Sequence, residues 1–162
     1  MRLFVQVRPT EVALRHLRDH LGGVRTSNPD QWHVTLAFLG EVDSAEPLYD
    51  GLAAAASLHA PFRLSLRGGG SFGPRATWAG VGGDVEQLRA LVADVEAACR
   101  DAGVHLEDRP YRPHLTVGRV DRRLLSTYEG PAWDVRDIQL VHSVLGQRAV
   151  HTVLRDFPLY QA

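Results

Sequence analysis

Trp32-His33-Val34-Thr35-Leu36-Ala37-Phe38-Leu39-Gly40 reads as a strand, and its pattern returns later as Pro113-His114-Leu115-Thr116-Val117-Gly118. Side chains on a strand alternate between faces, so residues two apart point the same way. The first copy therefore places His33, Thr35 and Ala37 on one face, with Val34, Leu36 and Phe38 on the other. The second groups His114, Thr116 and Gly118, with Leu115 and Val117 opposite. Each copy offers an imidazole beside a hydroxyl, then a small residue that leaves room for a ligand, over a face that belongs to the core. The copies stand 114 − 33 = 81 residues apart, half of the 162-residue chain.

The flanking segments fit the same organisation. Leu3 to Val7 reads as a strand, followed by a helix from Glu11 that Thr10 caps and Gly22-Gly23 stops. Asp43 is placed to cap a helix running to about Leu58. Phe62 to Leu66 and Thr77 to Val81 read as strands around the Gly-rich connection Gly68-Gly69-Gly70 and Gly73-Pro74. Asp84, with Gln87 three residues on, opens a helix whose Val85, Leu88, Leu91, Val92, Val95 and Ala98 share one face, and Gly103 ends it. His114 to Val120, Ile138 to Leu145 and Val150 to Phe157 read as strands. This order implies an α+β fold with two similar halves facing a cleft, within a single domain spanning 1–162. A second repeat points the same way: Gly73-Pro74-Arg75-Ala76 returns as Gly146-Gln147-Arg148-Ala149.

Composition narrows the function. Hydrophobic content of 44% and charged content of 23% are those of a globular protein with a core. The first ten residues hold only a short apolar run, and no later stretch suits a bilayer span, so a cytoplasmic location is expected, with no membrane partner and a monomeric chain. Cys99 is the lone cysteine, which excludes a disulfide framework and a thiolate zinc site; its apolar helical setting reads as packing. All 18 basic residues are arginine. A P-loop, a nucleotidylating ligase and a Schiff-base enzyme all need a lysine, so those chemistries are closed.

Two histidines on opposed strands suit the opening of a cyclic phosphodiester. In-line attack needs a base on one side of phosphorus and an acid on the other, and imidazole serves as either near neutral pH. Threonine hydroxyls can donate to the non-bridging oxygens, where charge accumulates. No metal or other cofactor is required. With 8 histidines, chance gives roughly 0.3 His-x-Thr matches, and a single copy would read equally well as a surface histidine. The duplicated setting, with apolar strands and a small residue after each pair, favours chemistry. The residues alone leave open which histidine is acid and which is base.

Arg112-Pro113-His114-Leu115-Thr116-Val117-Gly118-Arg119 and the Trp32–Gly40 stretch resemble the two signature motifs of the bacterial and archaeal RNA 2′,3′-cyclic phosphodiesterases. These are also called 2′-5′ RNA ligases, within the two-histidine phosphoesterase superfamily. Gly70-Ser71-Phe72-Gly73-Pro74-Arg75, Trp78-Ala79-Gly80-Val81 and the end from Ser143 through Leu159 are similar to that family too. The resemblance implies a bilobal, pseudo-duplicated fold with two antiparallel sheets lining a central groove and helices packed outside. It implies hydrolysis of RNA 2′,3′-cyclic ends to 2′-phosphates, with reverse 2′-5′ joining as a side activity. In that scheme His33 is the proton donor to the leaving 3′ oxygen, His114 is the proton acceptor that activates water, and Thr35 and Thr116 contact the phosphate. The expected partners are RNA with 2′,3′-cyclic phosphate ends or cyclic nucleotides. Two departures are Tyr111, where phenylalanine is usual, and His151-Thr152, where tyrosine is common.

Arg75 and Arg148, on the paired turns, are expected to rim the groove, and Arg119 and Tyr111 to reach substrate beside the second motif. Strand parity puts Arg119 opposite His114 unless the strand ends there. His16 and His20 stand one helical turn apart without an acidic or thiol partner, so an exposed helix face is expected. No His-x-His occurs, which argues against histidine-triad hydrolases. Competing readings are a phosphodiesterase for a small cyclic phosphate, such as ADP-ribose 1″,2″-cyclic phosphate, and a binding module for nucleotide or RNA without chemistry.

Overall fold

The computed structural model describes residues 1–160. Two four-stranded sheets, antiparallel throughout, form its frame. The first has the order β2-β1-β7-β8, from β1 (Arg2–Val7), β2 (Val34–Glu41), β7 (Asp137–Val144) and β8 (Val150–Pro158). The second has the order β5-β4-β3-β6, from β3 (Phe62–Phe72), β4 (Ala76–Gly83), β5 (His114–Gly118) and β6 (Trp133–Val135). Three helices complete the α+β fold: α1 (Glu11–Leu21), α2 (Tyr49–Ser57) and α3 (Val85–Asp101). The helices cross over. α1 follows β1 but packs on β3 of the other sheet, and α3 follows β4 but packs on β2. Each motif strand, β2 or β5, is thereby the edge of its own sheet, and the two edges touch.

Local chemistry explains the helices. In α1, Thr10 Oγ1 accepts the Ala13 N–H at 3.4 Å, and Ala13, Leu14, Leu17 and Leu21 turn inward. In α3, Leu88, Leu91, Val92, Val95 and Cys99 form the buried stripe. Burying each such leucine contributes about 1.5–3 kcal/mol. Asp84 stands at the head of α3, but its carboxylate accepts the Arg63 N–H at 2.9 Å and makes no cap bond to the helix.

Four sequence expectations need correction here. The helix expected from Asp43 begins at Tyr49, after a 3-10 turn at Glu46–Leu48. Pro47 has no N–H and disfavours a helical residue before it. β3 runs on through the three glycines to Phe72, and its register with β4 slips between Leu66 and Gly69. β6 was not foreseen, because three residues are too few to show alternation. The repeated glycine-arginine turns join β3 to β4 and β7 to β8, hairpins that do not correspond under the relation matching β1-α1-β2 with β4-α3-β5. Their likeness is turn chemistry, not a trace of duplication.

Candidate active site

β2 carries two β-bulges. Gln6 and Val5 of β1 pair with Thr35 and Ala37, leaving Leu36 as the extra residue, and Leu39 is skipped in the same way. A bulge reverses the alternation of every residue beyond it. Ala37 therefore turns inward, while Phe38 is 52% exposed on the face of Phe4, its partner on β1, with the Arg2 guanidinium 4.9 Å from its ring centre. The expected arrangement, with Ala37 beside the histidine and Phe38 in the core, is overturned. Of the three residues expected on the groove face, His33 and Thr35 remain there, with His33 one residue ahead of the strand.

Three side chains hold the backbone ahead of His33. Trp32 is buried and donates its indole N–H to Ser27 Oγ at 3.1 Å. The Arg8 guanidinium donates to the carbonyls of Pro29 and Trp32. Gln31 Nε2 donates to the Ala149 carbonyl at 2.8 Å, joining this segment to the β7–β8 hairpin. The His33 Nδ1 lies 2.7 Å from the Gln31 carbonyl. A carbonyl only accepts, so Nδ1 carries the proton and the neutral ring keeps its lone pair on Nε2. There it accepts the Thr35 hydroxyl at 3.0 Å.

The second histidine repeats the device. His114 Nδ1 donates to the Arg112 carbonyl at 2.7 Å, again two residues back. Its Nε2 has no protein partner among the described residues. Phe72 meets the His114 ring edge-on at 5.0 Å, and Trp78 lies 6.0 Å away. A side chain at Gly70 would strike the Trp78 ring, with a Cβ only 2.6 Å from it, so glycine there makes room for the indole. Gly118 does not leave space for a ligand as the sequence suggested. Its φ is +105°, and a Cβ would meet the Ser27 nitrogen at 2.8 Å. The Ser27 N–H donates to the Val117 carbonyl at 2.9 Å, drawing the turn before the first motif against the end of the second.

One cavity of about 210 Å³ is lined by His33, Thr35, His114 and Thr116, with His151 and the Ser27-Asn28 turn in its wall. A larger hollow of about 390 Å³, between the end of β2 and the loop after α3, contains none of the paired residues. Burial holds His33 below the ordinary imidazole value. His151, Arg8 and His114 push the same way, against the Gln31 carbonyl, which favours the charged form. Burial also lowers His151. Among the described residues no group of three His, Cys, Asp or Glu side chains is placed to hold a metal ion.

The remaining sequence candidates stand elsewhere. Arg75, Arg119 and Arg148 are exposed and make no ion pair or hydrogen bond among the described residues, and none lines the cavity. Parity does not place Arg119, because β5 ends at Gly118. Tyr111 is not in the cavity either. Its ring packs on the core and its hydroxyl donates to the Thr35 carbonyl at 2.8 Å, a strut between the motifs. His16 and His20 are exposed but engaged: His16 Nδ1 lies 2.9 Å from the Tyr128 hydroxyl, and His20 Nε2 lies 2.7 Å from the Leu124 carbonyl. His151, noted in the sequence as a departure from the family's usual tyrosine but not as a site residue, stands in the cavity wall.

The sequence matches the 2′-5′ RNA ligase superfamily over residues 6–143. It is 37% identical over 129 residues to an RNA 2′,3′-cyclic phosphodiesterase of Geobacillus stearothermophilus, which takes in 72% of this chain but 41% of that relative's length. To the protein of the same name from Thermus thermophilus it is 37% identical over 146 residues, covering 81% of this chain and 73% of the relative. The crystal structure of E. coli LigT superposes with a TM-score of 0.78 and 26% identity, over 99% of this chain and 98% of that one; LigT is also solved complexed with 3′-AMP. Motif strands, sheet order and whole-chain superposition agree, and the chain belongs to the 2′-5′ RNA ligase superfamily.

Proposed function

We propose that this chain opens RNA 2′,3′-cyclic phosphodiester ends to 2′-phosphomonoesters, with His33 as the acid and His114 as the base. One observation carries the reading. Both imidazoles are fixed by the same Nδ1-to-carbonyl bond, leaving two Nε2 atoms and two threonine hydroxyls around one cavity. His114 takes a proton from water as that water attacks phosphorus. His33, entering the step as the imidazolium with both ring nitrogens protonated, gives its Nε2 proton to the departing 3′ oxygen and returns to the neutral ring held at Nδ1 by the Gln31 carbonyl. Thr35 and Thr116 donate to the non-bridging oxygens as their charge grows. The Thr35 hydroxyl, bonded to His33 in the structure, exchanges that partner for phosphate. The names of the curated relatives and the nucleotide bound to LigT support an RNA-end substrate. A 5′-hydroxyl that takes the place of water attacks the same phosphorus and expels the same 3′ oxygen, so 2′-5′ joining of RNA ends is expected at high end concentration.

The test is incubation with adenosine 2′,3′-cyclic phosphate and with an oligonucleotide ending in the cyclic phosphate, in chelator and without ATP. Formation of the 2′-phosphate, lowered about 10²–10⁴-fold in His33→Ala and in His114→Ala, is expected. Full turnover in either variant, or turnover abolished by chelator, overturns the reading.

A further inference from the structure

His151 stands on β8 opposite Ser143 and lines the same cavity as both His-x-Thr pairs. Its ring meets His33 edge-on at 5.6 Å and Phe4 at 5.1 Å. Neither of its ring nitrogens has a protein hydrogen-bond partner among the described residues, so a donor and an acceptor both remain for a ligand. The hairpin that bears it is fastened by Gln31, whose side chain holds the Ala149 carbonyl and whose own carbonyl holds His33 Nδ1. A single residue thus sets the position of both imidazoles. The second sheet has no equivalent. His114 is flanked by Phe72 and Trp78, neither of which gains a proton.

We propose that His151 is a third substrate-binding imidazole, which hydrogen-bonds the sugar-phosphate on the leaving-oxygen side, next to His33. The proposal rests on the ring-opening reading, in which His33 faces the 3′ oxygen. The titratable groups placed near His151 are His33, whose ring meets it at 5.6 Å, and His114, which lines the same cavity; its pairing partner on β7 is the uncharged Ser143. Burial keeps His33 and His151 neutral more readily than free imidazole. An anion entering the cavity draws a proton back onto the pair, and protonated His151 both holds the anion and opposes charge on His33.

The test uses the full chain and adenosine 2′-monophosphate as the probe, titrated calorimetrically into wild type, His151→Gln and His151→Asn, with melting temperatures checking the fold. A loss of about tenfold in affinity is expected in both variants. Ring opening should show KM raised by a similar factor, kcat nearly kept, and the His33 limb of the pH profile moved to higher pH. Equal affinity for the monophosphate in folded variants overturns the proposal, and so does an unmoved pH profile with unchanged KM. Binding is read without turnover, so the two readings fail separately. A wild type that binds the monophosphate but opens no ring sinks the hydrolytic function, and the affinity ratio still judges His151.

Discussion

Tyr111 donates its hydroxyl to the main-chain carbonyl of Thr35 across 2.8 Å, which ties the approach to the second motif to the strand of the first. The Arg89 guanidinium holds the Tyr111 carbonyl at 2.8 Å, so the tyrosine is fixed at both ends. Burial pushes its phenol well above the usual range, and it stays a donor across the pH span in which histidines work.

Replacing Tyr111 by phenylalanine removes that bond and leaves the ring in place. A stability loss of about 1–2 kcal/mol is expected, because the Thr35 carbonyl loses a partner in a half-buried setting. Urea unfolding measures it. The variant should retain ring opening with a reduced kcat, since the hydroxyl touches the strand and not the cavity; wild-type stability would show that the strut does nothing.

The two threonines should not respond alike. Thr35→Val removes both a donor to phosphate and the hydroxyl bonded to His33, whereas Thr116 has no such bond to its histidine. Each loss is expected to lower kcat by about 10–10³-fold. Only Thr35→Val should also move the pH limb assigned to His33, and parallel rate profiles of the two variants test this.

The pH profile also identifies the acid. The His33 value is depressed below 6.5, chiefly by burial. If His33 donates the proton, kcat/KM falls on the alkaline side with a midpoint below that of free imidazole, because this parameter reports the free protein. His33→Gln removes that limb. An acid-side limb at the same pH would give His33 the role of base.

The same depressed value makes a stability prediction. The unfolded chain binds the His33 proton more readily than the folded one, so this contribution is intact above about 6.5 and is lost as pH falls through the depressed value. Unfolding free energy should therefore drop less in His33→Gln than in wild type between about pH 7 and about pH 5. A steeper drop in the variant would contradict the sign.

Gly118→Ala places a Cβ against the Ser27 nitrogen at a backbone angle that side chains avoid. A loss of about 1–3 kcal/mol is expected, with displacement of the Ser27-Asn28 wall and a raised KM. Melting curves and initial rates report the two effects.

The helices and the inward faces of the strands followed from apolar spacing, and the pairing of His33 with Thr35 and of His114 with Thr116 followed from alternation over two residues. Beyond that distance alternation failed. A bulge at Leu36 is set by pairing with β1, which no residue of β2 announces, so Ala37 and Phe38 exchanged places. Tyr111 read as a substrate contact because its hydroxyl partner is a carbonyl 76 residues away. His151 showed in the sequence as a departure from the family pattern, but its place beside His33 did not, because the sheet order and not the chain brings the two together. Arg75 and Arg148 were placed by the repeated turn and Arg119 by its position after the second motif; all three side chains are exposed, and none lines the cavity.

The carbonyl two residues before each histidine aims the ring from within its own motif, while Phe4 on His33 and Phe72 on His114 pack the rings from outside. Each motif thus carries its own orienting bond, and the remainder of the fold keeps two stretches of backbone at a set separation. Such a scaffold tolerates many replacements away from these contacts. That is how a chain sharing 26% of its residues with LigT retains that protein's architecture, and it suggests that grafting the two short segments onto another frame of matching span would carry the geometry with them.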